Sequence, residues 1–258
     1  MRDLILGPRR GPAFLCFGGA VAAVALGVAL AAWRYPGGFD WAYTVISRLA
    51  SERRNPDGAL WLSGGFLVGM LLLVPVTGYL ARTGVRSGSG TSRSVCFLRL
   101  GVAAGILLGL EGLLRLDLSV VHRKGHEAAA LVAFLGFYGG VLGLHIRRVR
   151  HGGQSIWPAL LVLAPLVAVG LSQVTLYFDQ RDLGWVNTDW REMGVPVWLS
   201  FAFWQWLAVG FLGLGLAHLV LRAPRTPESD LPRSNDASAG SSMPSSSFEN
   251  PSGPRSEI

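Results

Sequence analysis

Long stretches without a charged side chain alternate with short segments in which the charges gather. Charge-free runs cover residues 11–33, 58–81, 151–178 and, with His218 counted neutral, 193–221. Each exceeds the roughly 20 apolar residues that cross a hydrocarbon core about 30 Å thick. Two further apolar stretches lie between them. The pattern predicts six membrane spans, at residues 12–33, 59–80, 95–116, 127–146, 156–177 and 196–221. Lipid offers no hydrogen bonds, so a single span must satisfy its backbone internally, as a helix. The expected fold class is all-α: a polytopic integral membrane bundle of about six transmembrane helices. The third span is the most interrupted, with Arg99, Glu111 and Arg115 inside it.

Shorter periodicities refine this picture. Trp41, Val45 and Leu49 recur at helical spacing, with Ser47, Arg48, Ser51 and Glu52 between and after them. That predicts a short amphipathic helix on the outer membrane surface. Gly101, Gly105 and Gly109 fall four apart, as do Gly65/Gly69, Gly136/Gly140 and Gly139/Gly143. Small residues at this spacing let helix backbones approach closely in lipid, so these read as packing faces. Trp33, Tyr35, Trp41, Tyr43, Trp185, Trp190 and Trp198 flank predicted spans and read as an interfacial belt. Residues 223–258 hold ten serines and six prolines. Such a segment buries too little apolar surface to offset chain entropy, which predicts a disordered tail. The expected organisation is an N-terminal segment (1–11), a transmembrane domain (12–222) and the tail (223–258).

Composition agrees. Half of the residues are hydrophobic and 15% are charged, with a mean hydropathy of +0.40; soluble domains carry about 25% charged residues. A soluble enzyme, a coiled coil and a secreted disulfide scaffold are excluded. Cys16 and Cys96 read as small packing residues in different helices. The net charge of +7 sits in short connections rather than in a nucleic-acid-binding module. It fits the positive-inside rule and anionic lipid headgroups. Arg2, Arg9, Arg10, Arg82, Arg86, Arg93, Arg147, Arg148, Arg150, Arg222 and Arg225 cluster on one predicted side. The other connections mix bases with Asp40, Glu52, Asp57, Asp117, Asp179, Asp182, Asp189 and Glu192. Both termini are therefore expected in the cytoplasm, with the chain in the cell membrane. A rival reading takes the first span as a signal peptide cleaved near Ala29-Leu30-Ala31, leaving five spans. The expected partners are membrane lipids, a second copy through helix packing, or an unidentified protein; nucleic acid is not among them.

Few residues can carry chemistry. Glu111 lies about 24 Å along the third span, near the outer side of the core. An intramembrane carboxylate either pairs structurally, here with Arg115 one turn on, or handles protons or substrate. Arg99, near the cytoplasmic end, is expected to snorkel toward the interface. Asp117, His122 and His126 form the second group, beside Glu127. His122 and His126, four apart, share a face if the fourth helix begins early. Two histidines and a carboxylate match a catalytic zinc set. The same trio suits acid–base chemistry without metal, or His126 bonds Asp117 and simply pins a turn. His145, His151 and His218 fall on the opposite, basic side. Gln173 and Gln205 are expected to bond between helices or to line a wet cavity. The acid-rich stretch 179–192 reads as a solvated loop or a divalent-cation site.

Ser47-Arg48-Leu49-Ala50, Asn55-Pro56, the glycines Gly64, Gly65 and Gly69, and Asp117 followed by His126, Ala128, Ala129 and Phe134 together resemble the six-span family called domain of unknown function 998 (DUF 998). That group is akin to the FRAG/DRAM/Sfk type. The resemblance spans roughly residues 12–221. It implies a fold and a membrane location but no activity. Ser47, Asp117 and His126 are the matching polar positions. The family's first-loop Ser-Asp-Leu-Gly departs here, with Arg48 in place of the acid and Ala50 in place of the glycine. A second resemblance is to membrane hydrolases of the alkaline ceramidase and adiponectin-receptor type, which place a Ser, an Asp and three His around zinc. Ser47, Asp117, His122 and His126 supply part of that set; a third outer histidine and a seventh span are missing.

Three functions stay open: a lipid-facing or partner-binding scaffold with a polar Ser/Asp/His cluster at its outer face, a lipid hydrolase using Ser47, Asp117, His122 and His126 with or without zinc, and a proton-coupled transporter using Glu111.

Overall fold

A computed structural model of the chain describes residues 10–86, 92–116, 124–178 and 190–223. Asp117, His122, Trp185 and, apart from Ala223, the expected tail lie outside them. Among the described residues the fold is all helical. In chain order the helices are α1 (Arg10–Trp33), α2 (Ile46–Ala50), α3 (Ala59–Arg86), α4 (Ser92–Leu113), α5 (Gly125–Gly152), α6 (Trp157–Phe178) and, after a 3-10 turn at Val197–Leu199, α7 (Phe201–Leu221). All but α2 are long and apolar enough to cross a membrane.

Two boundaries differ from expectation for physical reasons. The third span was expected to reach residue 116, yet α4 stops at Leu113. Arg115 has φ +53°, and the Leu116 N–H donates to the Glu111 carbonyl at 2.9 Å. A left-handed residue and a bond reaching five residues back are the marks of a Schellman cap, here with arginine where glycine is usual. The sixth span was expected from residue 196. Pro196 instead leads into the 3-10 turn, and α7 begins only after Ser200.

Sequential helices pack side by side: α1 on α3, α3 on α4, α4 on α5, and α6 on α7. α7 also reaches α5, α1 and α3, drawing the row together. Glycines set how closely the rows approach. A Cβ on Gly65 would lie 2.9 Å from the Gly27 Cα, and one on Gly136 would lie 2.7 Å from the Gly101 Cα. No side chain fits at either crossing, as small-residue packing in lipid requires. The glycine column of α4 serves two neighbours: Gly101 faces α5, whereas Gly105 and Gly109 face Met70 and Leu67 of α3. Leu98, Val102, Val141, Val162, Leu216 and Leu219 fill the space enclosed. Leu15, Leu26, Leu71, Leu131, Leu171 and Leu214 point outward, the surface a bilayer covers.

The six long helices place the start of α1 and the end of α7 at one end of the bundle. There the Arg10 Nη2 donates to the Leu221 carbonyl at 3.2 Å. We call this the terminal end. The opposite end, closed by residues 34–58 and 190–200, is the capped end.

Candidate functional site

The capped end is built by the first long connection folding onto the start of α7. The expected amphipathic helix exists as α2, with Val45 and Leu49 buried and Trp41 exposed. Its apolar side turns onto the helix ends: Leu49 packs with Ala31, Leu62 and Trp206. Backbone groups of this segment find partners on or beside α7. Gln205 Oε1 accepts from the Ile46 N–H (3.0 Å), and Trp206 Nε1 donates to the Thr44 carbonyl (2.9 Å). The Ser200 hydroxyl donates to the Ala42 carbonyl (2.7 Å), and the Tyr43 hydroxyl to that of Val195 (2.9 Å). Gln205 thus bonds to a loop helix rather than across two spans. Trp190, read as a belt residue, is buried with Leu176, Val195 and Leu199; Trp33 and Trp198 are exposed as a belt requires.

Asn55 is the pin of this cap. Its side chain is fully buried, and Nδ2 donates to the carbonyls of Ala31 and Leu49, both at 3.0 Å. It ties the end of α1 to the end of α2. In the sequence Asn55 stands out only as part of an Asn-Pro pair. That pair was the available signal, because asparagine before proline favours a turn that its own side chain holds.

Glu111 and His126, singled out separately in the sequence, meet here. His126 Nδ1 lies 2.8 Å from Glu111 Oε2, across the α4–α5 seam. The carboxylate is only 11% exposed and the imidazole 49%. Arg115 does not pair with Glu111, contrary to one expectation. Its left-handed conformation removes it from the helical stack, and it reaches Glu52 of the first connection instead, at 3.1 Å. Ser47 sits half-buried on α2, whose packing neighbours are α1, α3 and α7, whereas Glu111 and His126 belong to α4 and α5. The proposed trio Asp117, His122 and His126 falls partly outside the described residues. Among the described residues, no group of three His, Cys, Asp or Glu side chains is placed to hold a metal ion. Glu127 lies in the first turn of α5, where the helix dipole favours an acid.

A buried carboxylate bonded to a half-exposed imidazole can share a proton with it and orient the ring. The pair therefore has two chemical uses: a clasp between helices, or an acid–base couple open on its histidine side.

The terminal end has a different chemistry. His145 Nε2 bonds to the Gly215 carbonyl at 3.1 Å, and its ring centre lies 5.4 Å from that of His218. Arg148 Nη2 donates to the Leu219 carbonyl at 2.8 Å. Arg99 reaches the Thr77 hydroxyl of α3 (3.4 Å) rather than only snorkelling. Tyr79 and Arg148 were not singled out in the sequence. Tyr79 is hidden within a long apolar run, and Arg148 within a basic one.

Comparison with family models, with curated proteins and with solved structures finds no match to this chain. The class is defined by the fold itself. Six apolar helices of spanning length, with apolar side chains turned outward, make this a multi-pass membrane protein.

Proposed function

We propose that the protein is a lipid-facing membrane scaffold, of the DUF 998 type, whose capped end is its partner-binding surface. Both termini lie in the cytoplasm on this reading, and the cap faces away from it. One observation carries it. Six polar groups at the capped end are bonded to one another or to backbone: Glu111 to His126, Arg115 to Glu52, and Asn55, Ser200, Gln205 and Trp206 to the loop segment or the end of α1. Such groups hold a shaped surface. Glu111–His126 acts as a clasp between α4 and α5.

A second reading has a specific observation behind it. His126 is half-exposed and backed by a carboxylate, the arrangement of an acid–base residue in a lipid hydrolase. Asp117, His122 and Ser47 are then its companions, with zinc as the metal a His/His/Asp set would take.

Elemental mass spectrometry of the purified full chain, wild type against His126→Ala, separates the two when combined with a screen for lipid cleavage in mixed vesicles. The scaffold reading expects no metal that depends on His126 and no cleaved lipid. Near-stoichiometric zinc lost in His126→Ala, or release of a lipid fragment by wild type alone, overturns it in favour of the hydrolase.

A further inference from the structure

Two arginines of the terminal end, Arg10 and Arg148, converge on the last turn of α7. A helix C-terminus leaves four carbonyls without intrahelical partners and carries partial negative charge. Arg148 and Arg10 answer part of that need by donating to Leu219 and Leu221. Each guanidinium has five N–H donors, so one bond leaves most of them over. Arg148 Nη1 is buried and has no hydrogen-bond partner. The Tyr79 hydroxyl is in the same condition on a side chain only 5% exposed, and so is His218 Nδ1. They gather about one turn: Arg148 bonds to Leu219, the residue after His218, Arg10 bonds to Leu221, and Tyr79 belongs to the same buried cluster as Leu219 and Val220. They come from α1, α3, α5 and the end of α7.

Three buried polar atoms left open on side chains of one cluster cost free energy, because each has given up water without gaining a partner. No carboxylate among the described residues relieves it. The acids described are Asp40, Glu52, Asp57, Glu111, Glu127 and Glu192, and all belong to the capped end or its connections. What the cluster lacks is an anion with several acceptor oxygens.

We propose that the terminal end is a binding site for a phosphate group, held by Arg10, Tyr79, Arg148 and His218 between α1, α3, α5 and α7. Depth favours a lipid as its carrier. Tyr79 lies about 10 Å, and His218 about 5 Å, inside the ends of their helices. That is the boundary between headgroup and acyl chain, where basic pockets between spans take anionic headgroups. Arginine suits the ligand, because its planar fork meets phosphate oxygens two at a time. The Tyr79 hydroxyl adds a donor from a second helix, and Arg10 closes the site at the surface. Free phosphate offers the same oxygens without the acyl chains.

The test uses the full chain in detergent, titrated separately with phosphatidylglycerol, phosphatidylcholine and inorganic phosphate, with bound mass counted by native mass spectrometry. Phosphatidylglycerol is expected to bind more tightly than phosphatidylcholine, whose choline meets the basic surroundings. Arg148→Gln weakens phosphatidylglycerol about tenfold and Tyr79→Phe about threefold. Tyr79→Phe removes one hydroxyl and keeps the packing, so it reports even if Arg148→Gln fails to fold. Arg150→Gln, exposed on the same end of α5, leaves binding unchanged. Inorganic phosphate that displaces the lipid and shows the same dependence on Tyr79 and Arg148 supports the site and makes the free ion its ligand. Retention that falls with Arg150→Gln but not with Tyr79→Phe reports general surface charge and overturns the proposal.

Discussion

Among the described residues, the two ends of the bundle share out charge in opposite ways, acids with bases at one and bases alone at the other. At the capped end most donors and acceptors close on each other: Asn55 Nδ2 on two carbonyls, Gln205 and Trp206 on the first loop, Glu111 on His126, while Asn55 Oδ1 and Arg34 Nη1 stay buried without a hydrogen-bond partner. At the terminal end, backbone carbonyls of α7 are satisfied, but the side chains that satisfy them have more capacity than the protein uses. Every described carboxylate lies toward the first end, and the second holds only bases. The capped end can therefore answer some of its bases with its own acids, whereas no described carboxylate lies at the terminal end.

This contrast breaks most visibly at Asn55. Asn55→Ala leaves two buried carbonyls without partners and should cost about 2–3 kcal/mol. Hydrogen exchange is expected to rise across residues 42–58 while α4 and α5 hold. A cap that stays protected would mean Asn55 is not its pin. A smaller effect is expected across the α4–α5 seam. His126→Ala strands a largely buried carboxylate whose partner was half-exposed, and should lower stability by about 1 kcal/mol, with Glu111→Gln restoring part of it in the double variant. Independent, additive losses from the two changes would show that they do not act as a pair.

Smaller again is the Arg115–Glu52 bridge, more than half exposed on both sides. Arg115→Ala should cost at most about 0.5 kcal/mol at low salt, and nothing measurable at high salt. Arg115→Gly sharpens that test, because it removes the same bridge but relieves a left-handed backbone worth about 1 kcal/mol to a non-glycine residue. Thermal unfolding should therefore rank Arg115→Gly above Arg115→Ala. The smallest effect belongs to the terminal end, where Tyr79→Phe removes a hydroxyl that has no protein partner.

The spans were legible because lipid imposes a long apolar run on each, and the glycine seams because close approach repeats every four residues. The capped end was less so. Trp206 and Thr44, or Ser200 and Ala42, meet over sequence separations that no local pattern records. Glu111 and His126 were each visible as chemistry-bearing residues, but on different spans. Joining them required knowing that α4 and α5 cross at Gly101 and Gly136. The alternative that paired Arg115 with Glu111 fails because the helix ends in a left-handed arginine, a conformation whose usual marker is glycine. Tyr79 was invisible for the opposite reason: in a run of apolar residues its ring reads as packing, and only its surroundings give its hydroxyl meaning.

The most direct measurement of the difference between the ends is the thermal unfolding of Asn55→Ala and Tyr79→Phe, side by side, in the same detergent and without anionic lipid. Asn55→Ala is expected to lower the midpoint by about 5 °C or more, and Tyr79→Phe to leave it unchanged or raise it slightly. Equal losses at the two positions would mean that the Tyr79 hydroxyl already has a partner within the protein, and would contradict that difference.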